Sequence, residues 1–221
     1  MTAPTQQPTN KRPAPVEPSR VFAGRRRLLQ GASGVAPIMM TLVSRPVVAG
    51  SVCTPASSFA SINASRPDKT YSCQGLTPGY RMQEQKFYDW PVGYVPSSTP
   101  VKGKGHPNYT PAKNATPTLF DTVFGSFGGY SGKTLLDVLS TGGNDFGRDA
   151  LARHIVAALL NAAKGYTPPT VLSVQTVKNI WTAFATNGYY EPTAGIKWYP
   201  DSSEPPGTGG LIAWLKSTMP A

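Results

Sequence analysis

Apolar residues recur at three- and four-residue steps between Gly147 and Lys164. Leu151, Ile155, Ala158, Leu159 and Ala162 form one stripe there, while Arg148, Asp149, Arg153 and Lys164 fall outside it. The spacing predicts an α-helix, with Asn144 or Asp145 able to cap its first turn and Gly165 placed to end it in a left-handed conformation. Burying Leu151, Ile155, Val156, Leu159 and Leu160 contributes on the order of 10 kcal/mol gross, at about 1.5 to 3 kcal/mol for each side chain, which makes this helix the expected keystone of a core. Three shorter patterns surround it in sequence. Lys133 to Ser140 turns Leu135, Leu136, Val138 and Leu139 inward before Thr141-Gly142-Gly143 breaks it. Ser173 caps Val174 to Thr186, where Val177, Ile180, Trp181 and Phe184 share a face and Asn187-Gly188 closes the end. Gly209 to Thr218 carries Leu211, Ile212, Trp214 and Leu215.

Neither the helical nor the strand period persists between Gly50 and Thr118. Ala56 to Ile62 offers one short helical turn at best, Thr77-Pro78-Gly79 sets a turn, and Val92 to Thr116 is a Pro-, Gly- and Lys-rich loop longer than connections usually are. The expected fold is mainly α. A small core of about four helices occupies residues 119–221, and a long, irregular, loop-rich half, residues 50–118, packs on it.

Charge changes the picture at the N-terminus. The chain carries a net +10, yet residues 1–49 hold seven basic residues and one acid, so more than half of the excess belongs to a leader that is polar, Pro-rich and expected to be disordered up to Gly24. The remaining basic residues form no run, which argues against a nucleic-acid partner. Arg25-Arg26-Arg27-Leu28-Leu29 is followed by a weakly apolar stretch, Gly31 to Ser44, and then by Arg45-Pro46-Val47-Val48-Ala49. Positive region, apolar region and small-residue cleavage site stand in the order of an export signal, and the paired arginines resemble the twin-arginine kind. Cleavage is expected between Ala49 and Gly50, with the twin-arginine export machinery as a transient partner. The apolar stretch is shorter than the roughly 20 residues of a bilayer span, so no stable membrane span is expected.

Only two cysteines occur, Cys53 and Cys73. In an exported chain they are expected to join as a disulfide, closing a loop of about 20 residues at roughly 3 kcal/mol of stabilisation. Val52 before Cys53 is too large for a lipid-modified cysteine, and the sequence holds neither a CxxC redox motif nor a zinc-ligand set, so no metal and no cofactor are expected.

Candidate chemistry is sparse. His154 lies in the main helix, with Asp149 five residues before it and Asp145 earlier, the parts of a carboxylate-oriented general base. The same residues fit a structural reading, in which Asp149 pairs with Arg153 four residues on and His154 is a hydrogen-bonded residue at the edge of the core. Loop aromatics, chiefly Tyr80, Trp90, Tyr190 and Trp198, can stack on sugar rings or roof the core. The run Gly142 to Asp149 has oxygen ligands at calcium-like spacing but lacks the distal Glu, and Gly132-Lys133-Thr134 lacks the opening glycine of a phosphate loop.

Several of these elements, in order, resemble a family of uncharacterised bacterial secreted and surface proteins. They are Leu76-Thr77-Pro78-Gly79-Tyr80, then Trp90-Pro91, then the Phe120, Val123 and Phe124 segment, then Thr134 to Leu139, and finally Arg153-His154-Ile155-Val156-Ala157-Ala158-Leu159-Leu160-Asn161-Ala162. The family's hallmark is a T-P/Q-G-Y-W-K-N-H element ahead of a helix reading roughly H-x-V-A-A-L-L-N-A. Arg81, Met82 and Gln83 stand where that hallmark has Trp, Lys and Asn. The resemblance implies an exported, non-enzymatic periplasmic or surface module that is structural or binds a surface polymer or protein. A periplasmic hydrolase using His154 with Asp145 or Asp149, and a carbohydrate-binding module using the loop aromatics, are the alternatives.

Overall fold

The computed structural model describes residues 51–60, 71–126, 129–143, 146–200 and 210–220. The leader, with Arg25, Arg26, Arg27, Leu28, Leu29, Ala49 and Gly50, lies outside the described residues, as do Asn144 and Asp145. All the described elements belong to one compact unit, Pro46–Ala221. In order they are β1 (Ser51–Cys53), α1 (Ala56–Ala60), β2 (Tyr71–Cys73), α2 (Pro78–Arg81), a 3-10 helix (Glu84–Asp89), α3 (Phe120–Phe124), α4 (Leu135–Leu139), α5 (Gly147–Lys164), α6 (Val174–Asn187), β3 (Tyr190–Thr193), β4 (Ile196–Trp198) and α7 (Leu211–Ser217).

The fold is mainly α, but the count of about four helices is too low. Eight helical segments stand among the described residues, and two small antiparallel hairpins, β1–β2 and β3–β4, accompany them. The expected four are α4, α5, α6 and α7. Of the additional ones, α1 falls within the short turn foreseen at Ala56 to Ile62, and α2, α3 and the 3-10 helix are four to six residues long, too short to display a full apolar repeat. Thr77 shows how such a turn persists: its side chain accepts from the Tyr80 amide, and Pro78 supplies a helical φ at the first position.

α5 is the centre of the molecule. Every residue from Ala150 to Asn161 is buried except Arg153, so the helix is enclosed on nearly all sides where an amphipathic stripe was expected. The reason is its alanines. Ala150, Ala152, Ala157 and Ala158 let α2, α4, α6 and α7 approach between the larger Leu and Ile side chains. Its C-terminus ends at Gly165 with φ 81° and ψ 14°, as the sequence requires. At the other end the cap position is Phe146, which provides no side-chain hydrogen bond, rather than Asn144 or Asp145. Ser173 caps α6 through the Thr176 amide, and Gly188 closes it in the left-handed conformation.

Two aromatic clusters fill the space around this axis. Trp181 of α6 meets Phe120, Phe124 and Tyr130, with ring centroids 5.1 to 6.2 Å apart. Trp198 of β4 meets Phe59, Tyr190 and Trp214 at 5.8 to 6.3 Å. Cys53 and Cys73 form the expected disulfide, with Cα atoms 5.8 Å apart, linking β1 to β2. The indole Nε1 of Trp214 donates to the Thr54 carbonyl at 3.0 Å, tying α7 to the chain just after β1. The long loop is pinned as well: Val101 and Tyr109 exchange backbone hydrogen bonds at 2.9 and 3.0 Å, and the Tyr109 hydroxyl donates to the Ser97 carbonyl.

Candidate functional site

Two groups of polar side chains converge on α5, and they differ in what their polar atoms face. The first surrounds Arg81, at the end of α2, which is fully buried. Its Nη1 donates to the backbone oxygen of Asp89 at 2.9 Å and to the carboxylate at 3.1 Å, while Nη2 donates to Asn161 Oδ1 at 2.9 Å. Asn161, on α5, also accepts from the Leu76 amide at 3.0 Å and donates to the Leu76 carbonyl at 2.9 Å, completing a peptide-like pair. Asp89 in turn accepts from the Tyr166 hydroxyl at 2.7 Å and pairs with Lys164 at 3.3 Å. Burial lowers the Arg81 pKa and Asp89 opposes that shift. The Tyr166 pKa is pushed up to about 12, first by desolvation and then by its hydrogen bond to Asp89. The Trp90 indole donates to the Arg81 carbonyl at 3.0 Å. These bonds run between the protein's own groups, so the cluster fastens residues 74–90 onto α5.

Close approach nearby explains Gly75. A Cβ placed there would lie 2.2 Å from the Thr218 carbonyl oxygen, so only glycine lets this strand of chain pass under the end of α7.

The second group faces a cavity of about 380 Å³. Thr77, Pro78 and Gly79 form one wall, Arg153 and His154 of α5 the floor, and Lys216 and Met219 at the α7 end the opposite side. None of the described lining residues carries a carboxylate side chain. His154 is buried, at 5% exposure, and its Nδ1 lies 2.8 Å from the Ala150 carbonyl oxygen. A carbonyl only accepts, so Nδ1 carries hydrogen. The result is an imidazole fixed in tautomer and orientation by its own helix, between two cationic side chains. A second recess of about 540 Å³ lies between the 96–102 loop and the start of α4, but Thr134 and Asp137 on its wall are committed to each other as a capping box.

The structure does not bring His154 and Asp149 together. Five residues apart on a helix, they point about 140° away from each other, and the Asp149 carboxylate accepts the Tyr130 hydroxyl at 2.5 Å. Burial, followed by that hydrogen bond, pushes the Tyr130 pKa well above the ordinary tyrosine range. Asp145 lies outside the described residues. The loop aromatics do not make an open platform either. Trp90 and Trp198 are buried, and the Tyr190 and Trp198 rings stand at 61° to each other within the core. Tyr80 is half-buried with Lys86 over its ring, 4.9 Å from the centroid. Among the described residues no group of His, Cys, Asp and Glu is arranged to hold a metal ion, and no helix is long and apolar enough to cross a membrane.

Sequence reading did not find Arg153, Lys216 and Met219 as one site, because Lys216 in α7 and Met219 just after it lie more than fifty residues downstream. The one available signal was the lone His154 beside Arg153. No protein-family model, curated protein or solved structure matches this chain.

Proposed function

We propose that the chain is an exported bacterial protein that acts outside the cytoplasm as a non-enzymatic binding module, with the cavity at His154 as its ligand site. The observation that carries the reading is the disposition of His154. Its Nδ1 is held by the Ala150 carbonyl, and with Arg153 and Lys216 it borders a preformed recess. Such a recess suits recognition of a small molecule. The Cys53–Cys73 disulfide supports an oxidising destination, and the arginine-led leader supplies a route to it. On this reading the similarity to the T-P/Q-G-Y-W-K-N-H proteins is one of architecture, since Arg81 replaces the hallmark Trp and serves as an internal fastener.

Two measurements test the two halves of the proposal. Fractionation with mass spectrometry is expected to find a chain beginning at Gly50 outside the cytoplasm, and Arg26→Lys with Arg27→Lys is expected to retain the precursor inside. An intact, reduced chain in the cytosol refutes export. For binding, the Met219 methyl of the 13C-methionine-labelled protein is titrated with hexanol, hexylamine and hexanoate. At least one is expected to shift it saturably, and no response to any of the three refutes a ligand site there.

A further inference from the structure

We propose that the tip of the long loop, Lys102 to Asn108, is held against the protein by a latch that opens in acid, the contact of His106 with Lys86 and Tyr88. The latch stands apart from the ligand reading above and does not depend on it. The Lys86 ammonium lies 3.1 Å from His106 Nε2. An ammonium has donors and no lone pair, so Nε2 accepts and the imidazole in this contact is neutral. The Tyr88 ring stacks on that imidazole, with centroids 6.0 Å apart and planes 20° apart. Tyr80 of α2 backs the arrangement, since Lys86 Nζ stands over its ring, 4.9 Å from the centroid. The tip thus meets the 3-10 helix through one histidine, which can accept from Lys86 only while Nε2 carries no proton.

Histidine is the side-chain type that ordinarily changes charge between about pH 8 and about pH 5. A proton on Nε2 replaces the accepted hydrogen bond with an imidazolium N–H facing an ammonium, so the bond is lost and two like charges stand at contact distance. The groups that face His106 do not offset this: Lys86 and Tyr88 come from the 3-10 helix, Tyr80 lies behind them on α2, and Lys102 and Lys104 flank it on its own loop. The carboxylates of that helix are placed elsewhere. Asp89 is engaged with Arg81, Tyr166 and Lys164, and Glu84 lies on the wall of the recess beside the 96–102 loop. The face of Tyr88 attracts a cation, but it cannot restore the bond at Nε2.

Contacts that do not titrate confine the release. Val101 and Tyr109 exchange backbone hydrogen bonds at the base of the tip, the Tyr109 ring meets Phe87 edge-on at 5.7 Å, and the Tyr109 hydroxyl donates to the Ser97 carbonyl. Within the tip the Gly103 amide donates to Asn108 Oδ1 at 3.0 Å, and a Cβ on Gly103 would collide with the His106 carbonyl oxygen. The tip is therefore a braced unit that pivots about Val101 and Tyr109, and its opening uncovers the Tyr88 ring.

The test uses the full chain, 13C-labelled in its histidine and aromatic side chains, and the nuclear Overhauser effect between the His106 and Tyr88 ring protons. That cross-peak is expected to be strong at about pH 8 and to fall about tenfold at about pH 5, while the one between the Tyr109 and Phe87 rings persists. Lys86→Met is expected to keep the His106–Tyr88 cross-peak at both pH values, because the ring then stacks on Tyr88 with no cation beside Nε2. His106→Arg places a permanent cation at the latch and is expected to speed cleavage after Lys102 and Lys104 by a lysine-specific protease about tenfold at about pH 8. A His106–Tyr88 cross-peak of equal strength at the two pH values, or cleavage unchanged in His106→Arg, overturns the latch. A loss that survives in Lys86→Met overturns its like-charge cause, and simultaneous loss of the Tyr109–Phe87 cross-peak overturns the confinement to the tip.

Discussion

The Arg81 cluster and the His154 cavity lie on the same helix, about two turns apart, and each holds a cation and a polar side chain from α5. In the first, Arg81, Asp89, Asn161 and Tyr166 bond to one another and to backbone atoms of Leu76 and Asp89. In the second, the Nδ1 edge of His154 turns back into its own helix, and Arg153, His154 and Lys216 line a recess. The difference teaches how architecture and recognition can be told apart by where polar atoms find their partners. The first cluster is closed by bonds among its own members, whereas the second borders a space that a ligand can enter.

Breaking the first cluster is expected to have the largest effect. Asp89→Ala leaves the buried Arg81 guanidinium without its counter-charge, which costs about 3 to 5 kcal/mol, measured as a drop in the urea midpoint. A loss under about 1 kcal/mol would show that the cluster is not the fastener described. A smaller effect is expected from alkali. Because the Tyr166 pKa rises from 10 to about 12 on folding, its contribution is complete below pH 10 and is lost as pH rises through about 12. The urea midpoint is expected to fall over that interval, and less steeply in Tyr166→Phe. The smallest effect belongs to the cavity. His154→Gln removes the bond from Nδ1 to a carbonyl that the helix already uses, and the loss of stability is expected to be smaller than for Asp89→Ala. A loss as large as that of Asp89→Ala would move His154 from recognition to architecture.

The sequence made the long elements legible and hid the short ones. α5 and α6 announced themselves through repeats several turns long, and Gly165, Ser173 and Gly188 marked their ends by chemistry that acts within a few residues. The cysteine pair could be read because only one pairing exists. α2 and the two hairpins span three or four residues per element, less than one repeat of any pattern. The Arg81 cluster was hidden for a different reason: Arg81 and Asn161 are 80 residues apart, and no local rule ties an arginine after a Thr-Pro-Gly turn to an asparagine near the end of a helix. The enclosure of α5 on nearly all sides was not legible, because the elements that close over its alanines, α2, α4, α6 and α7, are brought there by tertiary packing.

The bond from Trp214 to Thr54 closes a long circuit. A side chain in the last helix described holds a backbone group just after the first strand, and Leu211, Ile212, Trp214 and Leu215 of the same helix are buried in the body of the protein. During synthesis the ribosome releases this segment after the other described elements. The nascent chain must therefore wait with an unfilled groove along α5, open to chaperones and proteases, until α7 emerges to complete it.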